Sequence, residues 1–347
     1  MLYAPIVIPT LCRSTHFIRL MESLKKNTWA CYTDVYIGLD FPPNEKYESG
    51  WREICEYLNK SDFSALNKVT VIRRNANLGA IKNSEELIQY VQERYDRWIY
   101  AEDDCEFSPN FLEYMDKCLD EYESDESIVA VTGYSYPVDW VVNENATCFL
   151  QNFNVAMWGA GFWRDKYKFA ADFIYGGKLL DAIGDCAKNH FYERMIDASF
   201  VEYVKAALSN RKSELMIRPT DVALRAYMAV NNKYCISPVL SKVRNYGFDG
   251  TGCYCKSKND AADCFAAQKY DYEKQFIDAS KNIEICLDCN LEHMEVNRAR
   301  LNTFDSRQSK EVLYVRHLIW MVNHFGLKWT KMYHCMRSFL GKMRKII

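Results

Sequence analysis

A chain of 347 residues, 49% hydrophobic and 26% charged, carries enough apolar material for a full α/β core and an appended segment, which excludes disorder over most of its length. Its net charge of -2 gives no overall basic field, so no nucleic-acid partner is expected. No uninterrupted apolar run reaches the ~18 residues of a membrane-spanning helix.

Tyr3 to Pro9 is a short apolar run closed by Pro9-Thr10, the pattern of a buried strand feeding a loop. From Thr15 to Lys26, Phe17, Leu20, Met21 and Leu24 fall at helical spacing, and Lys25 and Lys26 sit where the helix dipole favours cations. Val35 to Leu39 predicts a second strand with Asp40 just past its end. A helical stretch around Trp51 to Leu58 leads to a third strand, Val69-Thr70-Val71-Ile72. The turn-like Asn75-Ala76-Asn77-Leu78-Gly79 and a helix through Val91 follow. Trp98-Ile99-Tyr100-Ala101 is a fourth strand and runs directly into Glu102-Asp103-Asp104. Downstream, Pro109 to Tyr122 reads as a helix, Ile128 to Gly133 as a strand, Val155 to Arg164 as an aromatic and glycine-rich segment, and Asp221 to Val230 as a helix. Strands alternating with helices imply a mainly parallel sheet flanked by helices. Ligands of such sheets bind at the carboxyl ends of the strands, where Asp40 and the acidic triplet both fall.

Three adjacent carboxylates repel one another, and a cation relieves the repulsion. Mg2+ or Mn2+, hard ions that take carboxylate and phosphate oxygens, fit that demand; a solvated acidic turn that starts the next helix is the plainer reading.

The strand, Glu102-Asp103-Asp104 and the following Pro109-x-Phe111 resemble the GT-A glycosyltransferases of the family 2 type, and especially the Glu-Asp-Asp variant of the N-acetylglucosaminyltransferase that starts complex N-glycan branching. The resemblance implies that Asp104 binds the metal, that Asp103 meets the ribose or sugar, and that Glu102 supports the loop. Pro9-Thr10-x-x-Arg13 resembles the family's loop bordering the nucleotide, and Asp40 the acid that meets the base. Asn77-Leu78-Gly79-x-x-Lys82-Asn83 resembles the segment where small residues let the backbone approach the donor and a cation faces the diphosphate. Trp158-Gly159, within Ala156 to Arg164, looks like the Trp-Gly loop beside the transferred sugar; a packed hydrophobic turn is the alternative.

Asp221, in Arg218-Pro219-Thr220-Asp221, resembles in position the general base of inverting relatives, and an Asp at a helix start is equally suited to capping. Asn245 to Gly252 resembles a glycine-rich loop near the diphosphate, with Gly252 where many relatives carry a His metal ligand. Coverage of roughly residues 3 to 255 implies a GT-A catalytic domain over 1–255, Rossmann-like with a mainly parallel central sheet, and a mostly helical C-terminal extension over 256–347. The implied activity is metal-dependent transfer of a hexosyl or N-acetylhexosaminyl group from a nucleotide-sugar donor, UDP-linked as a first choice, to a glycan or lipid-linked sugar acceptor in polysaccharide biosynthesis.

The opening Met1-Leu2-Tyr3-Ala4-Pro5 lacks the charged and apolar regions of a secretory leader, which favours a cytoplasmic setting. There Cys253, Cys255, Cys286 and Cys289 read as free thiols rather than disulfides, and Cys286-x-x-Cys289 alone is a weak zinc signal. From about residue 310, Lys310, Arg316, Lys328, Lys331, Arg337, Lys342, Arg344 and Lys345 face the single acid Glu311 and interleave with Trp320, Phe325, Trp329 and Phe339. A basic amphipathic segment of this kind suits peripheral contact with the inner face of a membrane, or simple packing on the catalytic domain. Two rival functions are a nucleotidyltransferase that makes nucleotide sugars, which would show a glycine cluster after the first strand, and a non-catalytic glycan-binding or scaffold protein. Pro9-Thr10-Leu11-Cys12-Arg13 lacks the glycine cluster.

Overall fold

Strands covered on both faces need apolar residues at every position, and β1 (Ile6–Thr10) meets that demand with Ile6, Val7 and Ile8 wholly buried. The structure, a computed structural model, describes residues 2–186, 217–252, 268–271, 283–304 and 309–343. Cys253, Cys255, Arg344 and Lys345 lie outside the described residues. After β1 come α1 (Ser14–Lys25), β2 (Asp34–Leu39), α2 (Glu48–Lys60), β3 (Lys68–Arg73), α3 (Ala80–Gln92) and β4 (Arg97–Tyr100). Each lies within a few residues of its expected place. Phe17, Leu20, Met21 and Leu24 form the buried stripe of α1, and burying such side chains contributes roughly 1.5–3 kcal/mol each.

The middle of the chain supplies β5 (Cys105–Phe107), α4 (Phe111–Glu121), β6 (Ile128–Thr132), β7 (Cys148–Gln151), β8 (Ala160–Trp163), α5 (Arg164–Tyr175) and α6 (Lys178–Cys186). It continues with α7 (Asp221–Asn231), β9 (Tyr234–Pro238), β10 (Val243–Asn245), β11 (Leu287–Asp288), α8 (Leu291–Phe304) and α9 (Ser309–Met343). Among the described residues one sheet runs in the order β11-β7-β9-β6-β8-β4-β1-β2-β3, and β5 pairs with β10 in a separate antiparallel ribbon. The β3-β2-β1-β4 half is parallel, whereas β8 runs antiparallel to both β4 and β6. The sheet is therefore mixed and mostly parallel, with flanking helices and a helical C-terminal region, a GT-A-like α/β architecture.

Helix α4 is buried along two faces, so its acids need partners. Asp116 accepts the Ala4 N–H at 2.8 Å. Glu113 accepts the Ile283 N–H at 2.7 Å and pairs with Lys117 at 3.0 Å. Both acids thus fasten incoming backbone to the core. Lys166, at the start of α5, donates to the carbonyls of Tyr122, Asp125 and Ile128 at 2.7–3.1 Å and fixes the connection between α4 and β6.

The chain forms two compact units. The first comprises Met1–Gln151, Ala156–Lys166 and Cys235–Met294; the second comprises Asn152–Val155, Tyr167–Tyr234 and Glu295–Ile347. In the second, Phe173 meets Tyr227 edge-on at 5.5 Å, and Arg225 donates to Asn154 at 2.5 Å. Helix α9 breaks at Gly326, whose φ of 81° is a left-handed value that glycine adopts without a Cβ penalty. Its two arms fold back on each other: Tyr314 bonds His334 at 2.8 Å, Arg337 lies 4.2 Å over the Tyr314 ring, and His317 meets Tyr333 at 5.7 Å. Among the described residues no helix is long and apolar enough to cross a membrane.

Candidate active site

The parallel pairing of β1 with β4, Ile6 opposite Ile99 and Val7 opposite Tyr100, sets the loops that follow these strands side by side. Thr10 ends β1, Arg13 follows in the first loop and Glu102-Asp103-Asp104 in the second, and all four of Thr10, Arg13, Asp103 and Asp104 converge. Thr10 Oγ1 donates to Asp103 Oδ2 at 2.9 Å. Arg13 spans the acidic pair, with Nη2 on Asp103 Oδ1 and Nη1 on Asp104 Oδ2 at 2.8 Å. Asp103 and Asp104 are buried, at 6% and 5% exposure, so the ion pairs are shielded from water. Burial lowers the basicity of Arg13, and the adjacent Asp103 and Asp104 more than reverse that, raising it overall. Burial raises the Asp104 carboxyl above its ordinary value against the pull of Arg13, and neighbouring Asp103 adds to the rise.

The β5-β10 ribbon brings a second wall to the triplet. Asn245 Nδ2 donates to Asp104 Oδ1 at 3.2 Å, and the Tyr246 N–H donates to the Asp104 carbonyl at 2.8 Å. Gly247 follows at a close approach: a Cβ there would lie 2.1 Å from Asp104 Oδ2, so the loop reaches the carboxylate only because position 247 has no side chain. Gln268 clasps Asn245 from behind, accepting its N–H and donating to its carbonyl, both at 3.0 Å. On the outer side His16 bonds Asp249 at 2.9 Å, and Arg19 stacks 4.0 Å over the Tyr246 ring. The stretch from Asn245 to Gly252 is thereby tied to α1 as well as to the triplet.

Asp40 sits at the end of β2, beside Thr10 through an Asp40 N–H to Thr10 carbonyl bond of 2.9 Å. Its two oxygens accept from Phe41 N, Leu78 N, Gly79 N and Asn77 Nδ2 at 2.9–3.2 Å. The acid therefore shapes the Asn77-Leu78-Gly79 turn, which enters α3. Asn83 extends the same corner, donating to the Gly38 carbonyl at 2.8 Å and accepting from Arg74 at 3.0 Å. Lys82 joins none of these groups among the described residues; its ammonium is largely exposed and lies 3.8 Å from Glu86. Pro9 lies in β1 opposite Gly38.

Glu102 accepts from the Trp158 indole N–H at 3.2 Å. The Trp158 ring meets Tyr134 edge-on at 4.7 Å and Phe248 edge-on at 5.7 Å, so the Trp-Gly segment forms an aromatic wall next to the triplet. Gly159 turns behind it, its carbonyl accepting the Gly133 N–H at 2.7 Å. Asp221 belongs to the second compact unit and is the first residue of α7; the cap is Thr220, which accepts the Ala223 N–H at 3.3 Å. Capping is thus the role of the neighbouring residue.

Among the described residues no group of three or more His, Cys, Asp or Glu side chains converges to hold a metal ion, and Cys286 and Cys289 are free thiols. The donor set at the triplet nonetheless fits a divalent cation in part. Each carboxylate has about four lone-pair sites, and Asp103 and Asp104 engage only one described donor per oxygen. Hard oxygens of this kind suit an ion that completes its shell with water and phosphate oxygens.

The sequence profile described as "Glycosyl transferase family 2" matches residues 6–192, more than half of the chain. The chain belongs to glycosyl transferase family 2. No curated protein matches it. Two solved structures of TarS from S. aureus are similar at a low level. For TarS 1-349 the identity is 11% and the TM-score 0.39, over 97% of this chain and 91% of that one. For the other TarS structure the identity is 13% and the TM-score 0.33, over 48% of this chain and 29% of that one, so the match spans less than a third of its length. Within this glycosyl transferase family 2 chain, sequence reasoning missed His16, Arg19 and Gln268. His16 and Arg19 carried the weak signal of polar side chains one turn apart on α1, and Gln268 carried none.

Proposed function

We propose that the chain moves a hexosyl or N-acetylhexosaminyl group from a UDP-linked donor to a glycan or lipid-linked acceptor, with Mn2+ or Mg2+ and with inversion at the anomeric carbon. The observation that carries this reading is the buried Asp103-Asp104 pair at the end of β4, gripped by Arg13 and walled by Asn245 and Gly247. Asp104, with Asp103 beside it, would hold the cation, which when bound neutralises charge on the departing diphosphate. Arg13 supplies a planar pair of donors matched to phosphate oxygens. Half-buried Trp158 and Phe248, backed by the buried Tyr134, offer apolar faces to a pyranose, and the end of β1 at Pro9-Thr10 with the Asp40, Asn77 and Gly79 turn frames the nucleotide. In the transfer itself the acceptor oxygen bonds the anomeric carbon as the bond to the diphosphate oxygen breaks. The acceptor's proton passes to the carboxylate of Asp221.

In the same proposal the enzyme contacts the inner face of a membrane. Trp320, Phe325, Trp329, Met336 and Phe339 of α9 are exposed, on a segment rich in Lys and Arg, a combination that suits an anionic lipid surface.

A panel of nucleotide sugars incubated with the protein, with and without Mn2+, tests the donor and metal assignments together. Slow release of UDP from one donor, dependent on the cation and reduced at least 100-fold in Asp104→Ala, is expected. Pyrophosphate release from a sugar phosphate and UTP would instead identify a nucleotidyltransferase, and failure to bind any donor would leave a non-catalytic role.

A further inference from the structure

Resting on the metal-assisted reading above, we infer that Arg13 and the divalent cation compete for Asp103 and Asp104, so that the free protein takes the cation weakly and the donor's diphosphate completes the cation site by drawing the guanidinium away. The guanidinium already occupies the pair as its counter-ion, one nitrogen on each carboxylate. The remaining oxygens are held by Thr10 and Asn245, and the Gly247 backbone closes over Asp104 Oδ2. A cation entering beside Arg13 meets a like charge a few ångströms away, where burial leaves little screening. The Arg13 side chain keeps 22% of its surface in solvent, against 8% and 6% for those of its two partners, so it is the member of the cluster that faces an incoming ligand. A planar guanidinium binds phosphate oxygens by the same paired geometry that it uses on carboxylates. A diphosphate is therefore an alternative seat for Arg13, and its transfer exposes both acids at the moment phosphate oxygens arrive to share the metal. Because such coupling is reciprocal, the cation tightens the diphosphate by the same factor.

Calorimetric titration of Mn2+ into the full chain, alone and saturated with UDP, compared with Arg13→Gln and Arg13→Lys, tests the competition without measuring turnover. Arg13→Gln should bind Mn2+ alone at least tenfold more tightly than the parent. UDP should tighten Mn2+ for the parent by a larger factor than for the variant. Arg13→Lys, which keeps one charge but cannot bridge both acids, should fall between and serves as the measurement if Arg13→Gln does not fold. Adding Asp104→Asn to either variant should remove the gain; if the gain persists, the ion binds elsewhere and the inference falls. Equal Mn2+ affinity of the parent and the folded variants, with Mn2+ still taken up in the presence of UDP, overturns the competition and leaves the metal-assisted reading standing. No Mn2+ uptake by any of these proteins, even with UDP, removes both.

Discussion

Asp116 shows what a single buried acid does to this protein. One of its oxygens accepts the Ala4 N–H, and burial pushes its carboxyl up to about 7, opposed by that N–H and by Arg97, itself paired with Glu123 at 2.9 Å, and reinforced by Asp120. An unfolded Asp titrates near ~3.9, so the folded protein holds the proton more tightly between about pH 4 and 7. Across that window the folded state binds more protons, and the contribution of Asp116 to stability falls as pH rises, reaching its lowest value above 7. Asp116→Asn keeps the acceptor for Ala4 and cannot ionise. It should raise the melting temperature at pH 8, by roughly 1–3 kcal/mol of stability, and change it little at pH 4. A shift of the same size at both pH values would refute the assignment. At this scale the sequence is readable where chemistry is local: three consecutive acids after an apolar strand point to the Asp103-Asp104 pair that the structure buries beside Arg13. It is silent where partners are distant, as with His16 and Asp249, which are 233 positions apart.

Elements with a strong period were legible in advance, and β1, α1, β2, β3, α3 and β4 all stand where the apolar spacing put them. The three-residue strands β5 and β10 were not, because such short segments carry no period and exist only through their mutual pairing. That ribbon is what delivers Asn245 and Gly247 to Asp104, so the least legible element completes the candidate site. Helix α7 raises the matching question for Asp221, which Thr220 relieves of capping. Thr220→Ala should cost about 1 kcal/mol of stability, whereas Asp221→Asn should cost less, keep donor binding and lose turnover. Thermal melts beside a turnover assay separate the two, and full turnover in Asp221→Asn would end its role as base.

For the molecule as a whole, the proposed membrane contact would depend on the exposed aromatic side chains of α9. The intact chain should sediment with vesicles containing phosphatidylglycerol and remain in the supernatant with neutral ones, and Trp329→Ser combined with Phe339→Ser should weaken pelleting severalfold. Recovery in the supernatant with both kinds of vesicle would dismiss the idea.

The strand order also governs how this chain can be made. The β3-β2-β1-β4 half draws only on the first hundred residues or so and can assemble as they emerge during synthesis. Strand β6 has a different fate: its neighbours are β8 and β9, both of which come later in the chain. Until Ala160–Trp163 has left the ribosome, the apolar Ile128–Thr132 segment has no place in the sheet, and its open edges are the ones a nascent chain must shield from self-association.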